Sequence, residues 1–254
     1  MKGQPSVFVM GTFNESLYQD FVCQDEAELY SKLQSTYDEL VARKVTRVVY
    51  PKDSDSSKSR IRFKSRVCQQ ALLHRALYLF EGSLIALSAK NVYALALCVR
   101  GHYEGTAALG YLHKRIMSYI EGSITINDLD RDVYAHVLGS RDKKMAVADA
   151  PDPKTIMSQL DYADKVVYAR LFHSQGNLKT VLRDGYEFLS EFAHPNFHSY
   201  SVAIHVDKRT DSFIFRYDHP LREEEFGLIG WLSISNPIFV ELFDSVSQCI
   251  EKVQ

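Results

Sequence analysis

Cysteine is scarce in this sequence, and its few copies lie far apart. The 254 residues include four cysteines, Cys23, Cys68, Cys98 and Cys249, with no Cys-x-x-Cys pair. Disulfide-rich secreted domains and Cys-x-x-Cys zinc sites both need closely spaced cysteines. The spacing therefore favours a reduced, cytoplasmic chain.

Long apolar runs are also lacking. The longest uncharged stretch, Phe226 to Val240, has 15 residues and contains Ser233, Asn236 and Pro237. It is too short and too polar to span a bilayer. The start of the chain has a single Lys and too short an apolar run for a signal peptide. We expect no membrane partner.

Neither charge nor catalytic motifs assign a function. Thirty Lys and Arg stand against 32 Asp and Glu, so the total gives no sign of a nucleic-acid partner, and a basic site would have to be local. The chain has no phosphate-binding loop, Gly-x-Gly-x-x-Gly, Gly-x-Ser-x-Gly or His-Glu-x-x-His motif. No cofactor is predicted.

The composition is that of a globular protein with one large domain, or one domain with an appendage. Residues 6–10 and 45–50 are β-branched runs that flank a helical period over 24–44, which predicts strand, helix, strand. The polar segment 51–59 reads as a loop. We therefore divide the chain into an N-terminal segment, 1–59, and a helical bundle, 60–254.

Five helices with recognisable ends are predicted in the bundle. The first covers about 60–89; Asn91 caps the second, to about 121; Thr125 with Asp128 begins the third, to about 139; Thr155 caps the fourth, to about 172; and the fifth covers 177–194, where Pro195 stops it. Short links between them predict an antiparallel bundle.

The period changes after the fifth helix. Val202, Ile204 and Val206 alternate, as do Phe213, Phe215 and Tyr217, which predicts a β-hairpin at about 200–217. A last helix over 221–253 should break or kink at Pro237. The expected fold is mainly α, with a small mixed sheet made from the N-terminal strands and the hairpin.

The second helix carries an unusual charged pair. Helical spacing puts Arg100 and Glu104 on one stripe with Tyr93, Leu97, Ala108, Tyr111 and Arg115. A partly buried guanidinium needs a carboxylate nearby, so the pair is either a structural ion pair or part of a ligand site. Gly101, Gly105 and Gly110 on the same helix indicate close helix packing or access for a ligand.

The fifth helix separates an apolar face from a charged one. Val181, Leu182, Gly185, Phe188, Leu189 and Phe192 form the predicted core face, and Arg183, Glu187, Glu191 and His194 lie opposite. The charged stripe is either a solvated face or a contact with a partner subunit at which His194 acts as general acid or base.

Two residue spacings around His194 match those of known metal sites. Glu191 and His194 have the Glu-x-x-His spacing of carboxylate-bridged di-iron bundles, but no second copy is present. His194 and His198 have the spacing of a helical metal pair, but Pro195 lies between them. A carboxylate–histidine metal bundle is therefore kept only as an alternative, and we predict no metal site.

Two segments together carry a family resemblance. ALCVRGHYEGTAALGYLHKRI (96–116) and YEFLSEFAHPNFHSY (186–200) resemble a group of largely uncharacterised bacterial helical proteins. In that group an Arg-x-x-x-Glu helix is followed by a Leu-Ser-x-x-x-His-Pro helix end and a hairpin. The group is similar to HEPN (higher eukaryotes and prokaryotes nucleotide-binding) proteins, and the resemblance covers about residues 60–220.

Catalytic HEPN ribonucleases are dimeric bundles that cleave RNA without metal, using an Arg followed four to six residues later by a His. The resemblance implies that His194 occupies the histidine position. The matching arginine positions hold Glu187, Phe188 and Leu189, and Arg183 lies 11 residues upstream. Arg100 or Arg183 of a second copy would have to substitute.

Two hypotheses follow. The first is an intracellular bacterial homodimer of toxin or phage-defence type that binds RNA, and that is an endoribonuclease if His194 supplies acid–base chemistry. Its partners would be RNA and an antitoxin or defence-system protein. The second is a non-catalytic interaction or scaffold protein. The candidate site residues are, for catalysis, Arg100, Glu104, Arg183 and His194 and, for binding, Tyr111, Glu191, Asn196 and His198.

Overall fold

The computed structural model describes residues 26–52, 56–139, 144, 152–172, 179–217, 221, 222, 225 and 227–253. These residues are 75% helical and include one small antiparallel sheet of two strands. The protein is thus mainly α. The predicted strand at 6–10 lies outside the described residues.

Eight α-helices and two strands make up the described chain. They are α1 Glu26–Ala42, α2 Ser57–Ser88, α3 Val92–Ile120, α4 Ile126–Leu138, α5 Ile156–Val167, α6 Val181–Ala193, α7 Phe197–Ala203, β1 Ile204–Asp207, β2 Ser212–Phe215 and α8 Leu228–Glu251. A π-helical turn, Tyr168–Phe172, continues α5.

The predicted helix starts are confirmed where polar side chains cap them. Asn91 accepts a hydrogen bond from the Ala94 N–H at the start of α3. Thr125 and Asp128 form a reciprocal capping box at α4, and Thr155 caps α5. Each cap satisfies a backbone donor that the first helical turn leaves without a partner, so these helices begin where the sequence predicts.

α3 is the central helix and packs against α2, α5, α6 and α8. Its buried side chains include Tyr103 and Leu109, both with no exposed surface. Tyr103 donates a hydrogen bond to the backbone carbonyl of Trp231 on α8, at 3.1 Å. The burial of one helix by four neighbours explains why α3 is apolar around most of its circumference.

The N-terminal helix α1 shares the core of the bundle. Tyr37 is buried against Phe80 of α2 and donates a hydrogen bond to Glu81 at 2.6 Å. Arg43, just after α1, forms a two-point ion pair with Asp244 of α8 at 2.8 and 2.6 Å. The polar loop after residue 51 therefore separates two packed helices of the same core.

The strand predicted at 45–50 is wrong. Residues 45–50 form no helix or strand, and the mixed sheet expected with the hairpin is a two-stranded sheet within the described residues. Tyr50 packs edge-on against Phe63 of α2, with ring centroids 4.9 Å apart. The segment thus contacts α2 through Tyr50 and pairs with no strand, while Val45 and Val49 stay largely exposed.

The predicted hairpin is confirmed, but it begins later than expected. β1 and β2 pair antiparallel, with Ile204 opposite Phe215 and Asp207 opposite Ser212. The short helix α7, which the sequence analysis missed, covers residues 197–203; Asn196 and Ser199 cap it reciprocally. The Asn-x-x-Ser spacing is typical of a capping box and could have predicted the start of this helix.

The last helix begins seven residues later than predicted and is not broken by its proline. α8 continues through Pro237 from Leu228 to Glu251. Within the described part of the chain, no helix is both long and apolar enough to cross a membrane.

Candidate functional site

Arg100 of α3 is held by Tyr186 of α6. Its guanidinium carbon lies 4.8 Å from the centroid of the Tyr186 ring, and Nη2 donates a hydrogen bond to the Tyr186 hydroxyl at 2.8 Å. The side chain is 19% exposed. Tyr186, which was not predicted as a site residue, is buried on the face of α6 that meets α3.

Glu104 lies between two arginines. Its carboxylate is 3.5 Å from Nη2 of Arg100 and 3.3 Å from Nη2 of Arg75 on α2. The carboxylate side chain is 32% exposed, and Tyr93 and Leu97 on the same stripe are 40% and 51% exposed. The pair predicted among apolar neighbours is thus half-buried, because the stripe runs along the edge of the α3 core.

These residues line a cleft of about 420 Å³ between α2, α3, α5 and α6. Arg75, Arg100, Glu104, Lys154, Gln159 and Tyr186 form its polar lining; Leu72, Ala108 and Ile156 form the apolar part; Gly105 also lies in its wall. We call it the α3 cleft. Lys154 is 3.2 Å from Asp132, which also pairs with Arg115.

The three glycines of α3 divide between the two predicted roles. A Cβ on Gly110 would lie 2.5 Å from the Cβ of Ala163 on α5, so Gly110 permits close helix packing. A Cβ on Gly101 would lie 3.1 Å from Leu79 of α2. A Cβ on Gly105 would meet nothing within 4 Å, because that position opens into the α3 cleft.

His194 lies at the exposed end of α6, away from this cleft. It ends the helix, and its backbone N–H bonds to the Ser190 carbonyl at 3.2 Å. Its position is eight residues beyond Tyr186, or about 12 Å along a helix. Among the described residues no side-chain partner of His194 is found, so Arg100 and His194 of one chain do not form a joint site.

Arg183 is engaged on the outer face of α6. It pairs with Asp161 at 2.8 Å and with Glu187 at 2.9 Å. These carboxylates hold the pKa of Arg183 above its usual range. Its backbone N–H and that of Leu182 donate to Asp164, whose pKa burial raises to about 6.

The remaining predicted binding residues lie in separate places. Tyr111 is in the core, stacked on His136 at 5.7 Å and edge-on to Tyr162 at 5.6 Å, and burial raises its pKa. Asn196 caps α7 and donates to Glu191 at 2.8 Å. His198 is exposed beside Phe197. No group of three potential metal ligands converges anywhere in the described ranges.

The predicted core face of α6 needs one correction. Leu182, Gly185 and Leu189 are buried as expected. Phe188 is 40% exposed and lies against Trp231 of α8, with ring centroids 5.3 Å apart. The buried face includes Tyr186 because α6 packs mainly on α3.

A second cleft is strongly basic. It lies between the segment 45–51 and the first turns of α2, has a volume of about 420 Å³, and is lined by Val45, Arg47, Val48, Val49, Pro51, Ser59, Arg62, Phe63 and Arg66. We call it the basic groove. Its lining among the described residues has three arginines and no acidic side chain. Glu251 of α8 pairs with Arg62 at 2.7 Å and with Arg66, so one carboxylate serves two guanidiniums.

The total charge of the chain conceals this groove. Residues 43–66 hold nine Lys or Arg and two Asp, a local net charge of +7. The whole chain has −2, so the excess is concentrated in this stretch. A windowed charge count would have found it.

Comparison of the chain with protein-family models, curated proteins and solved structures finds no match.

Proposed function

We propose that the protein is a HEPN-like helical bundle of an intracellular bacterial system that binds RNA through the basic groove. The observation that carries the proposal is the groove itself, with Arg47, Arg62 and Arg66 facing one channel. Guanidinium groups bind phosphate oxygens through two parallel hydrogen bonds, and RNA offers one phosphate per nucleotide.

An exposed aromatic residue at the rim supports RNA over a small anion. Tyr50 is 69% exposed, and its ring makes a T-shaped contact with Phe63, with ring centroids 4.9 Å apart. Aromatic rings beside basic grooves stack on unpaired bases, and this stacking contributes about 1–3 kcal/mol per base. The combination favours single-stranded RNA.

The geometry supports binding and not cleavage by a single chain. His194 stands alone at the surface, and Arg183 is paired with two carboxylates. In the HEPN pattern, cleavage without metal uses a histidine and an arginine at the same phosphate, with the histidine as acid or base. A ribonuclease would require a homodimer that brings Arg100 or Arg183 of one copy to His194 of the other.

The test is fluorescence anisotropy with a labelled single-stranded RNA. The triple variant Arg47→Gln, Arg62→Gln, Arg66→Gln should weaken binding at least ~10-fold and reduce the salt slope by about 2, since three phosphate contacts are lost. The matched control replaces three arginines on other elements by Gln: Arg131, Arg170 and Arg209. Equal loss in both triple variants, or no binding by the wild type, would refute the proposal.

A second candidate function has its own observation. Large aromatic side chains of α7 and the hairpin point into solvent: Phe197, Tyr200, Phe213, Phe215 and Tyr217. Exposed apolar clusters mark protein contacts in soluble proteins. This surface favours a non-catalytic interaction protein, whose partner would be an antitoxin or another defence-system protein. Replacement of Phe213 and Tyr217 by Ser should then abolish capture of that partner but leave RNA binding unchanged.

A further inference from the structure

The α3 cleft is separate from the basic groove, and RNA binding in the groove does not use it. Arg75 and Arg66 lie nine residues apart on α2, on opposite sides of the helix at 100° per residue. The charge of the cleft, its hydrogen-bond donors and Gly105 in its wall determine which ligand it could bind.

The charges around the cleft do not balance. Arg75, Arg100 and Lys154 line it, and Glu104 is the carboxylate among its lining residues. Behind the wall, Asp132 is paired with both Lys154 and Arg115. These four cations and two carboxylates leave a surplus of two positive charges, which a ligand with two negative charges would neutralise.

The side chain of Arg100 is preorganised for binding such a ligand. Stacking on Tyr186 and the bond to its hydroxyl fix the guanidinium in place. Its Nε is buried and has no hydrogen-bond partner among the described residues. Because the Tyr186 oxygen accepts from Arg100, its own O–H remains able to donate to a ligand.

Gly105 keeps the cleft open. A glycine inside a helix costs about 1 kcal/mol relative to alanine, so it needs a compensating reason. At Gly110 the reason is close packing on Ala163; at Gly105 a Cβ would meet nothing within 4 Å. The space beside Gly105 serves no contact within the described protein, which fits access for a bound molecule.

We propose that the α3 cleft binds a terminal phosphate monoester. This group carries close to two negative charges at neutral pH and accepts several hydrogen bonds. Arg75, Arg100 and Lys154 surround the phosphate, and Tyr186 donates to it. The alkyl or sugar part of the ester rests on Leu72 and Ile156. A cleft of about 420 Å³ suits a small ligand or one chain end.

The phosphate has two sources, a free small molecule or the 5′ end of an RNA, and the experiment separates them. Isothermal titration compares ribose 5-phosphate with two RNA oligomers of one sequence, one ending in a 5′-phosphate and one in a 5′-hydroxyl. A free-ligand site binds ribose 5-phosphate. An end-binding site prefers the phosphorylated oligomer at least ~10-fold, a difference of about 1.4 kcal/mol. Either result supports the proposal.

Variants tie the binding to the cleft. Arg100→Gln and Gly105→Leu should each weaken phosphate binding at least ~10-fold, the first by removing charge and the second by filling the space. Arg170→Gln, on the surface beside Glu241, is the charge-matched control. Circular dichroism checks that each variant is folded.

The groove variant with Arg47, Arg62 and Arg66 replaced should keep phosphate binding, so failure of the RNA proposal and failure of this one are distinguishable. Two outcomes overturn the cleft proposal. One is the absence of saturable binding of ribose 5-phosphate together with equal affinity for the two oligomers. The other is binding that survives both Arg100→Gln and Gly105→Leu.

Discussion

Gly110 of α3 faces Ala163 of α5 so closely that a methyl group on the glycine would lie 2.5 Å from the alanine Cβ and 2.8 Å from its Cα. No rotation of a side chain can relieve this contact, because the groups involved are fixed by the two helix backbones. The contact sets how near α5 can come to the central helix. It also places α5 so that Ile156 and Gln159 line the α3 cleft.

The two glycines Gly105 and Gly110 should respond to alanine in opposite directions. Gly110→Ala should lower the free energy of unfolding by about 1–3 kcal/mol, since overpacking forces the helices apart. Gly105→Ala should raise it by about 0.5–1 kcal/mol, since the methyl group enters open space and improves helix propensity. Urea unfolding of both variants measures the difference. Destabilisation by Gly105→Ala would show that the wall of the cleft is packed.

Glu104→Ala should cost about 1 kcal/mol, not the 3–5 kcal/mol expected of a fully buried pair. The carboxylate is 32% exposed, and Arg100 keeps its hydrogen bond to Tyr186 when Glu104 is removed. Thermal or urea unfolding measures the change. Tyr186→Phe is the companion variant, because it removes only the hydroxyl that Arg100 contacts. A loss above ~3 kcal/mol for Glu104→Ala would mean that the pair is closed off from water.

His194→Ala should leave the fold and RNA binding almost unchanged. The side chain is exposed at the end of α6, where a favourable interaction with the helix dipole is worth at most about 1 kcal/mol. The measurements are the unfolding free energy, the anisotropy of labelled RNA, and RNA degradation without metal. A ~100-fold drop in a measurable cleavage rate would instead establish His194 as an acid or base and imply a dimer.

Acid should destabilise the protein through its buried histidines. Burial lowers the pKa of His102, His113 and His136 to about 4, below the ordinary value of 6.5. A group whose pKa is lower in the folded state contributes stability that is complete above pH 6.5 and is lost as the pH falls toward 4. The free energy of unfolding should therefore decrease over this window.

His102→Gln isolates one of these contributions. His102 is fully buried, and its Nδ1 lies 3.0 Å from the Ser235 hydroxyl on α8. The variant should lose less stability than the wild type between pH 6.5 and 4, by on the order of 1–3 kcal/mol. Asp164 has a raised pKa, so its protonation stabilises the folded state as the pH falls. This contribution is the same in both proteins and cancels in the comparison. Parallel pH curves for the two proteins would contradict the prediction.

Most helices of this protein, though not α7, could be predicted from sequence because the interactions that define them are local. Asn91, Thr125 and Thr155 each bond to a backbone group three residues away, and the α-helical hydrogen bonds join residues four apart. The hairpin at 204–215 is also local, since one turn joins its strands.

Tertiary structure alone decided the rest, because the remaining contacts join residues that are far apart in the sequence. A strand needs a neighbouring strand to pair with. Residues 45–50 lie beside α2 instead, and the basic groove lies between the two. Helical period marked the stripe of Arg100 and Glu104, but Arg75, Lys154 and Tyr186 come to it from three other parts of the chain. Their meeting depends on how closely α3 approaches its neighbours, which positions such as Gly110 control only once the helices are packed.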